Sequence, residues 1–96
     1  MKPSDALAAH RAGIRRIVAA HRARNPRVIG SVVHGEDTED SDLDLLVDPT
    51  PETTLFDLAG MQQALEEFLA VPVDVVTPNG LPDRTREQII AEAEPV

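Results

Sequence analysis

An α+β fold of alternating helices and short strands, in the order helix-strand-strand-helix-strand-helix, is what three features of this 96-residue chain predict. Apolar residues recur at three- and four-residue steps in two stretches, one before Asn25 and one after Thr54, as amphipathic helices require. Short apolar runs at Val28-Ile29, from Leu43 to Val47 and from Val71 to Thr77 have strand length and are rich in branched side chains. Pro and Gly pairs punctuate the joins between these segments.

Ser4 followed by Asp5 opens the first helix, and Asn25-Pro26 closes it. Leu7, His10, Ile14, Ile17, Val18 and His21 form its apolar stripe, with Arg11, Arg15, Arg22 and Arg24 largely off it. His10 and His21 cannot share a metal ion, because eleven residues at helical rise set them about 16 Å apart. They read as histidines at a core edge or an interface. Val28 and Ile29 make a short strand ending at Gly30-Ser31. Leu43 to Val47 make the second, which Asp48-Pro49-Thr50-Pro51 breaks. Thr53 or Thr54 caps the second helix, whose Leu55, Leu58, Met61, Leu65, Phe68 and Leu69 line one face. In the third strand Val73 and Val75 lie on the packed side and Asp74 on the opposite one. Asn79-Gly80 turns the chain into a final helix over about residues 83 to 93, with Ile89, Ile90 and Ala93 as its apolar contribution. No linker, repeat or low-complexity segment interrupts the chain, so residues 1 to 96 read as one domain.

The chemistry concentrates between Gly30 and Val47. Ten residues separate Ser31 from Asp42, and the Asp42-Leu43-Asp44 triplet opens an apolar strand. Side chains alternate along a strand, so Asp42 and Asp44 leave it on the same side. Two carboxylates facing one spot repel each other and raise each other's pKa unless a cation joins them, which makes the pair suited to Mg²⁺. Upstream, Gly30 lets backbone approach a ligand, and Ser31 supplies a hydroxyl and an N–H suited to phosphate oxygens. Carboxylates for metal facing a turn for phosphate are the parts that phosphoryl or nucleotidyl transfer needs.

On these residues the chain resembles the DNA polymerase beta-like nucleotidyltransferases, and among them the small MNT domains (minimal nucleotidyltransferases) that act as antitoxins of HEPN toxins. The family's Gly-Ser and Asp-x-Asp positions fall on Gly30, Ser31, Asp42 and Asp44, and further Gly and Ser-Asp positions on Gly35 and on Ser41 with Asp42. The segment Pro72-Val73-Asp74-Val75-Val76-Thr77-Pro78 is similar to the family's strand carrying a third carboxylate, Asp74. The likeness extends over roughly residues 27 to 94. It implies the nucleotidyltransferase fold, a small mixed β-sheet with flanking helices. It also implies two Mg²⁺ ions held by Asp42, Asp44 and Asp74 as catalytic and metal-binding residues, and a nucleotide held by Gly30, Ser31, Gly35 and Ser41. ATP as AMP donor and a Tyr of a HEPN ribonuclease toxin as acceptor come from the likeness alone. The family often has Arg after Gly-Ser, whereas this chain has Val32, Val33 and His34. That departure leaves His34 as a substitute cation or a plain surface histidine, and it opens a second reading, an antitoxin that neutralises by covering its partner. A third, transfer to a small molecule of the aminoglycoside kind, fits less well, since such enzymes usually add a helical domain.

Composition narrows the field further. The chain has no Cys, which removes disulfides, thiolate nucleophiles and Cys-held zinc and leaves hard oxygen ligands. No apolar stretch nears the ~20 residues of a membrane span and no signal-peptide pattern is present, so a cytoplasmic protein is expected. Net charge is −8 but unevenly spread: residues 1 to 27 carry seven basic groups against Asp5, and the remainder sixteen acids against Arg84 and Arg86. The acidic body disfavours direct nucleic-acid binding, and two Phe without Tyr or Trp give no stacking platform. A chain this small buries only about 60–65% of its unfolded surface, which makes association with a partner plausible on physical grounds.

Overall fold

In a computed structural model that describes all residues from 1 to 96, helix α1 covers Pro3–Ala20. Its Ala6, Leu7, Ile14 and Val18 are buried, the stripe the periodicity predicts. His10 departs from helical geometry (φ −134°, ψ 27°) and kinks the helix. The helix ends five residues earlier than the Asn25-Pro26 signal indicates, because Arg22 takes a left-handed φ of 64°. Strand β1, Ala23–Ile29, therefore runs through the Asn-Pro pair. Asn25 (φ 52°) is absorbed as a bulge between Arg24 and Arg27. Pro26, which has no N–H to donate, instead accepts at its carbonyl from the N–H of Val96.

Strand β2 is Leu43–Pro49, antiparallel to β1 with Ile29 opposite Asp44 and Val28 opposite Leu45. Helix α2, Leu55–Leu69, starts at a reciprocal cap: Thr54 Oγ1 accepts from the N–H of Asp57, and Asp57 Oδ2 accepts from the N–H of Thr54. Met61, Leu65 and Leu69 are buried, whereas Leu55 and Phe68, expected on the same face, stand in solvent. Strand β3, Val73–Val76, is shorter than the predicted 71–77 run and lies parallel to β2, with Asp44 beside Asp74. It is an edge strand whose outward N–H groups are covered by α2: Val73 donates to Glu66 and Val75 to Gln62. A 3₁₀ turn at Pro78–Gly80 leads to α3, Arg86–Glu92, shorter than the predicted 83–93 helix. The two-residue strand β4, Glu94–Pro95, has no signal in the sequence pattern and pairs antiparallel with β1.

The mixed sheet has the order β3-β2-β1-β4. Its two faces differ. Leu43, Leu45, Val47 and Val73 pack under α1 and α2 in the main core. On the opposite face Ile29, Leu46 and Leu81 form a second, smaller cluster, joined by Val76 of β3, Ile89 of α3 and Ala93 just after it. Alternation along β2 puts Asp42 and Asp44 on this second face with Leu46, and alternation along β3 puts Asp74 there with Val76.

Candidate active site

Parallel pairing of β2 with β3 does what the sequence alone left open: it sets Asp44 level with Asp74 on adjacent strands. Asp42, two residues upstream at the mouth of β2, shares their side of the sheet. Burial raises the Asp44 carboxyl, and the negative charges of Asp74 and then Asp42 raise it further, to about 6. All three influences act in one direction, so the carboxyl is partly withdrawn from water inside an anionic field. Asp42 and Asp74 themselves are exposed. The three are not gathered into a tight ligand cluster, in keeping with the mutual repulsion of carboxylates that only a cation relieves. Their hard oxygen donors are of the kind that would hold a divalent ion such as Mg²⁺.

Gly30 closes the site from β1. It has φ +76°, and a Cβ there would collide with Asp44 Oδ2. Only glycine satisfies both the left-handed backbone and the approach of the carboxylate. Ser31 begins a helical turn in which Gly30, Ser31 and Val32 accept at their carbonyls from His34, Glu36 and Gly35. Gly35 (φ +68°) ends that turn, with open space where a side chain would be, so its backbone and not its size is what matters. The turn thus offers N–H groups at its start, beside Asp44, where a phosphate would be held.

Ser41 is engaged differently from its neighbours. Its hydroxyl accepts from the N–H of Thr38 at 2.8 Å and lies 3.3 Å from the Thr38 hydroxyl. In this arrangement Ser41 shapes the acidic loop leading to Asp42. That loop is tied to the start of α1, where Asp37 accepts from the N–H of Ser4 at 2.9 Å and is held below the usual carboxylate range by that bond.

The structure gives His34 a partner that the motif reading did not single out, Glu92. His34 Nε2 lies 2.9 Å from Glu92 on α3, and Gln88 donates to the other oxygen of Glu92. These hydrogen bonds, Gln88 first, keep the Glu92 carboxyl low. With Ile29, Gly30, Val33 and Ile89 the pair lines a recess of ≈130 Å³ beside the Gly30-Ser31 turn. Fifty-eight residues separate His34 from Glu92, so no local pattern connects them.

Comparison with known proteins gives the family of the chain that carries the Gly30-Ser31 turn and these carboxylates. The nucleotidyltransferase domain family matches residues 15–96. Protein adenylyltransferase MntA of Thermococcus cleftensis is 33% identical over 87 residues, covering 82% of this chain and 88% of that protein. A solved structure assigned as a minimal nucleotidyltransferase superposes with a TM-score of 0.86 at 46% identity, over 97% of this chain and 95% of that one. A toxin-antitoxin structure with AMP-PNP has the same fold (TM-score 0.73, 17% identity, 88% of this chain and 69% of that chain). The chain belongs to the nucleotidyltransferase family, as an enzyme of the minimal, MntA-like kind.

Proposed function

We propose that this chain is an antitoxin that transfers AMP from ATP onto a hydroxyl of a partner toxin, with two Mg²⁺ ions held by Asp42, Asp44 and Asp74. The observation that carries the reading is the register of Asp44 with Asp74, directly against Gly30. The likeness to protein adenylyltransferase MntA supports the adenylyl donor, and that to a toxin-antitoxin structure with AMP-PNP is consistent with a nucleotide and a toxin partner. A HEPN ribonuclease as the toxin, and its Tyr as acceptor, follow from the resemblance of the Gly30-Ser31 and Asp42-x-Asp44 segment to MNT sequences.

Ser31 and the N–H groups at the start of its turn bind the β- and γ-phosphates, and Gly30 leaves room for them beside Asp44. Gly35 ends the turn, and Ser41 presents Asp42. Mg²⁺, when bound, neutralises the triphosphate and lowers the pKa of the attacking hydroxyl. Asp74, exposed on the edge strand, takes the hydroxyl proton. The acceptor oxygen then bonds to the α-phosphorus as the bond to the β-phosphate oxygen breaks and pyrophosphate leaves. Positioning and charge neutralisation account for the rate, and no covalent enzyme intermediate is needed.

The second reading, neutralisation by occupancy alone, draws on His34. The side chain that replaces the family's Arg is already engaged with Glu92. Turnover separates the two. A catalyst given ATP and Mg²⁺ silences toxin at molar ratios well below one, the toxin stays silent after the chain is removed, and its mass rises by AMP. A mask protects in proportion to the fraction bound, without ATP, and reverses with the rate of dissociation. Equal protection by the Asp42→Asn, Asp44→Asn double variant at every ratio, without ATP, would overturn the catalytic reading.

A further inference from the structure

The outer face of the α1/α2 layer, on the far side of the sheet from the carboxylates, is more apolar than a solvent face should be. Both aromatic residues of the chain are on α2, and both are exposed: Phe56 at 89% and Phe68 at 41%, with Leu55 at 83%. Phe56, Gly60, Ala64 and Phe68 recur every four residues and so form one stripe. Phe68 is held in place. Its ring lies on Gly13 of α1, where a Cβ would collide with it, and its centroid is 4.9 Å from that of His10 in an edge-on contact at the kink. The stripe borders a groove of ≈350 Å³ lined by Gly13, Arg16, Ile17, Ala20, His21 and Phe68.

We infer that this face is the docking surface for a second copy of the chain, with α2 packed antiparallel against α2 of the other copy. The stripe is self-complementary. Read from either end it runs large, small, small, large, with its centre between Gly60 and Ala64. A two-fold axis at that centre lays Phe56 on Phe68 of the other copy, and the reverse contact follows by symmetry. The two small residues in the middle allow the helix axes the 8–10 Å approach typical of packed helices. Charge fits the same arrangement. Helix α2 carries Asp57, Glu66 and Glu67 and no basic residue, while α1 places Arg16 in the groove, its Arg11 and Arg15 being bound instead to the carbonyls of Pro95 and Val96. Arg16 lines the groove at Phe68, so docking Phe56 there brings the adjacent Asp57 to it, and symmetry makes two such pairs. Asp57 uses one oxygen for the helix cap and keeps the other available.

The absence of Cys makes a register-specific test clean. Oxidation of the Phe56→Cys, Phe68→Cys double variant should give a covalent dimer, as should a mixture of the two single variants. Neither single variant should cross-link with itself, because the antiparallel register sets like positions about 18 Å apart. By light scattering the parent should show twice the monomer mass, and Phe56→Asp the monomer mass with an unchanged helical signal by circular dichroism. Arg16→Glu should weaken the dimer and added salt should weaken the parent's. A parent that is monomeric up to hundreds of micromolar overturns the inference. So does cross-linking of a single variant as efficient as that of the mixture. Should Phe56→Asp leave a monomeric parent unchanged in mass but abolish capture of the toxin, the face belongs to the toxin and the second-copy assignment fails.

Discussion

At the scale of single residues, Asp44 carries an energetic conflict that can be measured. Its carboxyl is pushed up from the ordinary 3.8 to about 6 in the folded chain, chiefly by burial and then by Asp74 and Asp42. Between those values the folded state binds the extra proton, so stability declines as pH rises through this window and stays lower above it. Asp44→Asn removes the conflict. At pH 7–8 it should raise stability by about 1 kcal/mol after allowance for solvent screening, seen as a melting temperature several degrees higher. At pH 4 the gain should vanish. The same variant should lower AMP transfer by several orders of magnitude, since each 1.36 kcal/mol of lost transition-state stabilisation is tenfold. Labelled ATP with the toxin, and melting curves at both pH values, check the two halves separately. Gly30→Ala should do the opposite to stability, because it forces a side chain into a left-handed backbone and against Asp44. A drop in melting temperature together with loss of nucleotide binding by calorimetry is the expected result.

Among the elements, α2 depends most on local chemistry. Thr54 and Asp57 satisfy each other's N–H groups at its start, and these bonds keep Asp57 well below the usual carboxylate range. A lowered carboxyl contributes stability above its unfolded pKa and loses it as pH falls through the folded value. Thr54→Ala should therefore cost about 1 kcal/mol at pH 7 and less in strong acid, read from denaturant midpoints. Helix α3 has no buried residue of its own and is anchored through half-buried Ile89 and through Glu92 to His34. It shapes one wall of the recess beside the Gly30-Ser31 turn, so under the proposed function nucleotide binding would depend on a short element of low intrinsic stability.

For the molecule as a whole, the sheet separates stability from chemistry. The large core lies under α1 and α2, whereas the carboxylates occupy the open part of the other face. Leu65→Ala, at a fully buried position, should cost 2–5 kcal/mol by cavity formation. Below its lowered melting temperature the protein should still show the parent's KM for ATP. Asp74→Asn should show the converse, with melting nearly unchanged because the residue is exposed on an edge strand, and transfer lost. A large melting drop with residual transfer intact would identify Asp74 as structural.

The α+β class, the presence of all six predicted elements and the motif residues Gly30, Ser31, Asp42 and Asp44 were determined by the chain locally, because helix and strand periods and glycine's freedom act within a few residues. Alternation along one strand was enough to put Asp42 and Asp44 on a common side. What tertiary structure decided involves partners distant in sequence. Arg22 adopts a left-handed backbone that propensity disfavours, Asn25 one that asparagine tolerates, and β1 extends through Asn25-Pro26 because β2 and β4 pair with it on both sides. Leu55 and Phe68 fit an apolar stripe by spacing yet face solvent, since the sheet covers only the arc of α2 that holds Met61, Leu65 and Leu69. The levels of Asp44 and Asp74 were set by parallel strand pairing, and the His34–Glu92 contact by α3 folding back over β1. Local sequence chooses elements because it acts through the backbone's own few degrees of freedom. Which residues meet across the fold depends on how those elements share a limited apolar surface, a quantity no short segment contains.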